Sequence, residues 1–355
     1  MRHPSPPQIS VVMTVYNGAG YLRKSIDSVL RQTFHEFEFL VVDDGSTDET
    51  PAMLAKAAAE DRRVKIVTNQ DNRGLTASIN IGLRHARAPI IARIDGDDIC
   101  APNRLADQFS FLEMHPDHLM VGSGYRAIDH SGKVLYTKIN PMDSFAARWL
   151  SRFRTPMPHP SICFRATLPD GTPVRYEEDL PVAQDFELIA RLARAGRIAS
   201  LGAPLIDYRM HAGNISANKK ALQHANARQI AGRSMAADLP TELARRLDGF
   251  LDIYFLGRTA TPGLIAESVA ALDDMVALDV EAEPRRRTWL KRQTAGVLAE
   301  AIIRRGGGLR NPAALSAFAV HARHYLPALA GRVLENTGRL PGRWQSFPEP
   351  SGIGA

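Results

Sequence analysis

The chain has 355 residues, 45% hydrophobic and 23% charged, an ordinary globular composition with enough apolar material for a sizeable core. Its length suits one large domain with an appendage. The two cysteines, Cys100 and Cys163, are far apart and in no metal-like spacing, so no disulfide framework is expected and a reducing compartment fits. The opening MRHPSPPQIS has no apolar core and no run of ~18 uncharged apolar residues occurs. Neither a signal peptide nor a spanning helix is therefore expected, and the cytoplasm is the default location.

The net charge of +6 is unevenly spread. Residues 1–218 hold 25 Lys+Arg and 25 Asp+Glu, whereas the stretch after Pro284 holds 12 basic against 3 acidic residues, a balance of +9. A basic tail of that kind suits either an anionic membrane surface or a solvated helical surface that packs on protein or pairs subunits. No nucleic-acid partner is expected.

Four strand–helix alternations open the chain. Residues 9–15 (ISVVMTV) are a short β-branched run, followed by a turn at Asn17-Gly18 and a helical pattern to about Arg31. Residues 37–42 form a second run, ending in Asp43-Asp44-Gly45-Ser46 before a helix near 48–60. Residues 64–67 and the helix 74–87 follow, then residues 90–94, which lead into Asp95-Gly96-Asp97-Asp98. Apolar strands alternating with helices imply a parallel sheet covered on both faces, and such sheets bind ligands beyond the carboxyl ends of their strands. The polar clusters 14–17, 43–46, 69–74 and 95–98 should then share one rim.

From 119 to 161 the pattern is mixed, with short strands near 120–122 and 161–164 and a loop-like stretch over 149–160. Phe186, Ile189, Ala190 and Ala193 give helical spacing over 182–195. A strand at 198–201 and an extended segment at 205–216 come next. Beyond Asn218 the chain becomes Ala/Arg/Leu-rich and helical, with Ile265, Val269, Leu272 and Val276 marking one amphipathic helix. The expected organisation is an α/β domain over residues 1–218 and a helical region over 219–355. Its Pro/Gly-rich end, the last ~15 residues, is expected to be flexible.

Three carboxylates at one strand end repel one another, and a divalent cation relieves that conflict. Oxygen ligands favour Mg²⁺ or Mn²⁺, which keep water and phosphate in their shell, so a diphosphate is the natural companion. The competing reading is an exposed acidic turn that caps the next helix. Asp44 is open in the same way, as a helix cap or as an acceptor for a ribose or base. There is no G-x-G-x-x-G after the first strand and no P-loop signature, which removes the main support for dinucleotide and P-loop chemistry.

Together, VVMTVYNGAGYLRKSIDSVLRQT, FEFLVVDDGSTDET, NRGLTASINIGLRHARAPIIARIDGDDICAPNRLADQ, PMPHPSICFRA, QDFELIARLARAG and IDYRMHAGNIS resemble the family 2 glycosyltransferases, whose fold is called GT-A. The resemblance covers residues 9–216 and implies inverting transfer of a sugar from a nucleotide-sugar, of the UDP class, to an acceptor hydroxyl. It places Thr14 and Tyr16 against the uridine, with Tyr16 stacking on the base. It makes Asp44 the acid that holds the nucleoside and Arg73 a basic residue near the base. Asp95 and Asp97 become the D-x-D element, with Asp97 the metal ligand and Asp98 sharing that role or binding sugar hydroxyls. Asp185 becomes the catalytic base, with Glu187 or a pure helix-start role as alternatives.

His159, between prolines, can line an acceptor pocket or pack structurally. His211 lies where related enzymes set a basic residue against the diphosphate or the metal; a structural histidine is the alternative. Arg209 can clamp phosphate or make a surface ion pair. Gln184 precedes Asp185 where Glu is common, and the Q-x-x-R-W motif of processive members is absent, which favours single additions. The acceptor is expected to be a saccharide or a lipid-linked molecule, as in bacterial-type polysaccharide or glycolipid assembly. Two other functions stand beside this one, a sugar-phosphate nucleotidyltransferase and a non-catalytic nucleotide-sugar-binding protein.

Overall fold

A computed structural model describes residues 6–211, 219–259, 261–278 and 284–304. The chain divides between Asn218 and Lys219 into two compact units. The expected flexible end lies outside the described residues.

The first unit opens with β1 (Ile9–Val15), α1 (Ala19–Leu30), β2 (Phe37–Asp43), α2 (Thr50–Glu60), β3 (Val64–Thr68), α3 (Leu75–His85) and β4 (Ile90–Asp95). The four strands lie in parallel order β3-β2-β1-β4. Every residue of β1 and β2 is buried, which is why these runs are largely apolar and do not alternate. Val11 and Met13 face a core shared with Leu22 and Ile26 of α1. Val12 and Leu40 face another, shared with Ile79 and Leu83 of α3 and Leu188 further along. The register sets Thr14 beside both Val42 and Asp95, and Val15 beside Asp43, so the strand ends finish level.

Beyond β4 come β5 (Ile99–Cys100), α4 (Arg104–Met114), β6 (His118–Ile128), β7 (Val134–Lys138), α5 (Ser144–Leu150), β8 (Cys163–Arg165), α6 (Gln184–Ala195) and β9 (Arg197–Arg209). They extend the sheet in the order β4-β8-β6-β9-β5, with β7 on β6. The sheet is parallel over β1–β4 and between β6 and β9, but β8 enters antiparallel to both neighbours, so the whole is mixed.

Several elements differ from the sequence reading. The segments at 198–201 and 205–216 are one strand, Arg197–Arg209, whose register against β6 shifts near Gly124. Its expected extension from 212 on lies outside the described residues. The stretch read as a loop from 149 contains the end of α5 and a 3-10 turn at His159–Ser161. Helix α4 went unread because it docks through polar groups. Arg104 is fully buried and donates to the Arg93 carbonyl at 2.6 Å, while Gln108 donates to the Ser161 carbonyl at 2.7 Å.

The second unit comprises α7 (Lys220–Asp238), α8 (Thr241–Leu251) running into a π-turn at Asp252–Leu256, α9 (Pro262–Leu278) and α10 (Pro284–Arg304). Ile265, Val269, Leu272 and Val276 are buried along α9, as the helical spacing requires. In α10, Leu290, Val297 and Leu298 are buried too, and the helix packs on α9 and the π-turn. These apolar residues are thus core, not a face free to enter a bilayer, whereas Arg286, Lys291 and Arg292 are exposed. Among the described residues no helix is long and apolar enough to cross a membrane.

At the opposite end of the sheet from the acidic rim, buried Glu38 on β2 accepts from Ser10 Oγ at 2.7 Å, from the Arg87 amide at 2.8 Å and from Arg87 Nε at 2.8 Å. Removing it strands the buried Ser10 hydroxyl and unpairs Arg87. Glu38→Ala is expected to cost roughly 2–3 kcal/mol in urea unfolding; a loss below about 0.5 kcal/mol would show the network to be solvated.

Candidate active site

The rim is built around a buried cation. Arg93, wholly out of water on β4, donates from Nη2 to Asp95 Oδ1 at 2.5 Å and to Thr14 Oγ1 at 3.2 Å. Its Nη1 donates to the carbonyls of Val12 and Ile94. An unpaired buried guanidinium would be prohibitively costly, so this charge belongs with the carboxylates above it.

Asp97 and Asp98 follow in the turn. Asp97 Oδ2 lies 2.8 Å from His211 Nε2. Loss of solvent and the nearby charge of Asp95 push the Asp97 carboxyl up, and the His211 contact opposes them. Asp98 is 1% exposed; Oδ1 accepts from the Arg209 amide at 2.8 Å, and Oδ2 has no hydrogen-bond partner among the described residues. Dehydration, then Asp97 and Asp95, raise its carboxyl well above the usual range. Arg209 is buried, which excludes the surface ion pair. Nε donates to the Asp97 carbonyl at 2.9 Å, Nη1 donates to the Asp129 carbonyl at 2.9 Å, and the guanidinium lies over the Tyr21 ring.

Among the described residues no group of three or more His, Cys, Asp and Glu is arranged to hold a metal. The donor set present is the Asp97 carboxylate with the His211 imidazole. That pair suits a cation that fills most of its shell with water and phosphate oxygens, as Mg²⁺ and Mn²⁺ do, and not a fully protein-caged ion.

Next along the rim, Asp44 Oδ1 accepts from Asn69 Nδ2 and the Arg73 amide, each at 2.8 Å, and Oδ2 accepts from the Gly74 amide at 2.9 Å. The carboxylate therefore ties the 69–74 loop to the end of β2. Gly74 has φ +85, and Gly45 has φ +75 with the Asp71 carbonyl carbon only 2.8 Å from where a Cβ would stand, so both turns require glycine. Arg73 joins through its backbone and its side chain is exposed. Tyr16 is 51% exposed at the end of β1, a large aromatic left open beside the rim. Asn17, at φ 49, accepts from the Thr47 amide at 2.8 Å and so stitches the first two loops together.

Asp185 stands in the first turn of α6, after Ala183 in left-handed backbone at φ 63. Removal from water raises its carboxyl; the Phe186 amide opposes that and the charge of Asp95 adds to it. That last influence brings Asp185 within electrostatic reach of the acidic turn. The alternative base, Glu187, is instead paired with Arg191 at 2.8 Å. His159 is buried, with Nε2 2.7 Å from the Tyr176 hydroxyl; burial first, then Arg93, pushes it down to about 3, so it is neutral. Sequence reasoning missed Arg93 and Tyr176, while Asn69 lay in the polar cluster 69–74 expected on the rim. A charge inside the apolar run IIARID was a usable signal for Arg93; Tyr176 gave none.

Residues 10–167 match the model of glycosyl transferase family 2. The first unit therefore carries a domain of that family, and the chain is a transferase. It is 28% identical over 233 residues to an uncharacterized glycosyltransferase of Haemophilus influenzae, covering 63% of this chain and 72% of that one. To the putative glycosyltransferase EpsE of Bacillus subtilis it is 38% identical over 164 residues, covering 46% and 58%. To the amylovoran biosynthesis glycosyltransferase AmsE of Erwinia amylovora it is 27% identical over 259 residues, covering 71% and 92%. The chain spans 37% of the length of a Rickettsia bellii glycosyltransferase. Among solved structures, Staphylococcus aureus TarS 1-349 in complex with UDP-GlcNAc shares the fold at TM-score 0.58 and 16% identity, over 97% of this chain and 95% of that one. The GT-A class is therefore the fold of the first unit, and a nucleotidyltransferase or non-catalytic binder loses its support.

A raised carboxyl has a stability consequence. The folded chain holds the Asp185 proton more tightly than the unfolded chain does, so ionising it costs stability as pH rises above the ordinary aspartate range near 4. Asp185→Asn should therefore unfold at higher denaturant than the parent at pH 7, with the gap closing toward about pH 4. A variant less stable than the parent at pH 7 would mean that the carboxylate is held as a favourable charge.

Proposed function

We propose that the chain transfers a sugar from a nucleotide-sugar to an acceptor hydroxyl with inversion, assisted by Mn²⁺ or Mg²⁺. The reading rests on one juxtaposition: the Asp97–His211 pair lies on the same acidic rim as Asp95, and Asp95 acts electrostatically on Asp185.

In this account Thr14, Tyr16, Asp44 and Arg73 receive the nucleoside, with Tyr16 offering a ring face for the base. Asp95, held by Arg93, faces the sugar and diphosphate, while Asp98, expected to bind sugar hydroxyls or share the metal, is buried on the Arg209 amide and braces the turn instead. Asp97 and His211 would hold the cation, which supplies positive charge against the charge that grows on the leaving diphosphate. Asp185 takes the acceptor's proton while the hydroxyl oxygen bonds to the anomeric carbon and the diphosphate departs from the opposite side. Its raised pKa brings it nearer to working pH, where a general base is effective, and such help is typically worth about 10²–10⁴ in rate.

The similar TarS was crystallised with UDP and with UDP-GlcNAc, which supports a UDP-sugar. A mannosyltransferase of Pyrobaculum calidifontis, TM-score 0.50 and 19% identical over 94% of this chain and 89% of that one, was crystallised with GDP-Man and Mn²⁺. The name of the Erwinia amylovora relative supports a biosynthetic role; in this account that role is polysaccharide or glycolipid assembly, with a saccharide or lipid-linked acceptor. Docking on an anionic membrane would draw on exposed basic residues such as Arg286, Lys291 and Arg292, and the helical unit can instead pair two copies.

The test is nucleoside diphosphate release from UDP- and GDP-sugars, with and without Mn²⁺ and acceptor. Asp185→Asn should lose about 10²-fold or more in kcat with donor KM little changed. Weak donor binding with residual turnover would make Asp185 structural. Asp97→Asn should abolish the metal-dependent part, and full activity of that variant in chelator would remove Asp97 from the metal site. Release of inorganic diphosphate from nucleoside triphosphate and sugar phosphate would replace the proposal with the nucleotidyltransferase.

A further inference from the structure

Tyr176 is more tightly fixed than a loop residue needs to be. Its amide donates to Asn80 Oδ1 and its carbonyl accepts from Asn80 Nδ2, each at 2.9 Å, so one buried side chain of α3 holds both backbone groups. Thr76, a turn earlier on α3, donates to the Leu180 carbonyl at 2.7 Å and anchors the same segment further on. Behind it, Arg191 of α6 donates to the Arg175 carbonyl at 2.5 Å. The phenol thus reaches His159 from a braced position.

The hydroxyl and His159 Nε2 are 2.7 Å apart, and one of them carries the shared proton. If Nε2 carried it, the buried Tyr176 hydroxyl would have no acceptor among the described residues for its own proton. If Tyr176 donates, every group is satisfied and the ring proton sits on Nδ1. Burial keeps the phenol protonated and the imidazole neutral, which agrees with this assignment. Nδ1 has no partner among the described residues, and it is not among the fully enclosed polar atoms. The turn that carries His159 packs on β4, where the Arg93 amide donates to the Ile162 carbonyl at 2.9 Å; Arg93 and Asp95 act electrostatically on His159, and Arg93, Asp185 and Asp95 act on Tyr176. The pair therefore lies in the neighbourhood of the carboxylate tied to Arg93 and the candidate base.

We infer that His159 donates a neutral N–H from Nδ1 to an oxygen of the transferred sugar, and that Tyr176, set by Asn80 and Thr76, is the positioning residue that fixes this tautomer. The inference rests on the proposed function for its ligand, but the tautomer does not depend on it. A neutral donor suits this place: a cationic imidazole beside Arg93 would be repelled, and a carboxylate would repel the donor's diphosphate.

Two substitutions separate this from mere packing. Asparagine sets its amide nitrogen near the position of Nδ1, whereas glutamine reaches toward Nε2. His159→Gln should fall below His159→Asn in donor kcat/KM by about tenfold or more, because only the asparagine keeps a donor facing the sugar. A purely structural histidine, bonded to Tyr176 through Nε2, gives the reverse order, and that result overturns the inference. ¹⁵N NMR of histidine-labelled protein without substrate reads the tautomer directly, with the signal assigned by its loss in His159→Asn. The expected result is Nδ1–H and a bare Nε2, with the proton redistributed in Tyr176→Phe. Nε2–H in the parent overturns the inference whether or not the substituted enzymes turn over. Absent turnover by the parent on every nucleotide-sugar, together with an Nδ1–H signal, would overturn the sugar ligand and locate the failure in the proposed function.

Discussion

Arg93 is the residue on which the rim depends. It sits in the middle of a strand that is otherwise apolar, it has no contact with water, and its guanidinium touches Asp95, Thr14 and the backbone of β1 and β4. Without a cation beneath them, Asp95, Asp97 and Asp98 would be three crowded carboxylates at the end of a buried sheet, and some would take up protons. With it, Asp95 is ion-paired and oriented. The turn beyond is held by the Arg209 amide on Asp98 and the Arg209 side chain on the Asp97 carbonyl. The level ends of four parallel strands then bring the remaining loops to the same edge.

This arrangement trades stability for chemistry. Asp97, Asp98 and Asp185 all have carboxyls pushed upward, first by loss of solvent, so each charge costs the fold something at neutral pH. The partnerless Oδ2 of Asp98 and the left-handed Ala183 before Asp185 belong to the same pattern of local cost at a working site. Stability lost at the rim is offset elsewhere, by the two apolar cores on either face of the sheet and by the Ser10–Glu38–Arg87 network.

Much of this was legible in the sequence, for reasons that differ by region. Strands β1, β2 and β4 could be read because burial on both faces forces largely apolar runs, and their ends because polar clusters interrupt those runs abruptly. Asp97 and His211 are 114 positions apart, and only the family resemblance suggested that they belong together; the structure sets them in contact. Arg104 and Gln108 concealed α4, because buried polar residues that bond to carbonyls look like a surface pattern. The Tyr176–His159 bond was not legible, since it arises from long-range packing of an irregular segment on α3. In α10 the basic balance was legible in the composition, but nothing in the sequence says whether Leu290, Val297 and Leu298 meet lipid or protein.

If the rim is one site shared by a cation and a diphosphate, the two ligands must bind cooperatively, because Asp97 and His211 leave most of a cation's shell to other oxygens. The direct measurement is a Mn²⁺ titration of the full chain followed by electron paramagnetic resonance, with and without UDP. The account predicts weak Mn²⁺ binding alone and at least about tenfold tighter binding with the nucleotide, a coupling within the usual range. Equal Mn²⁺ affinity in the two titrations would contradict it.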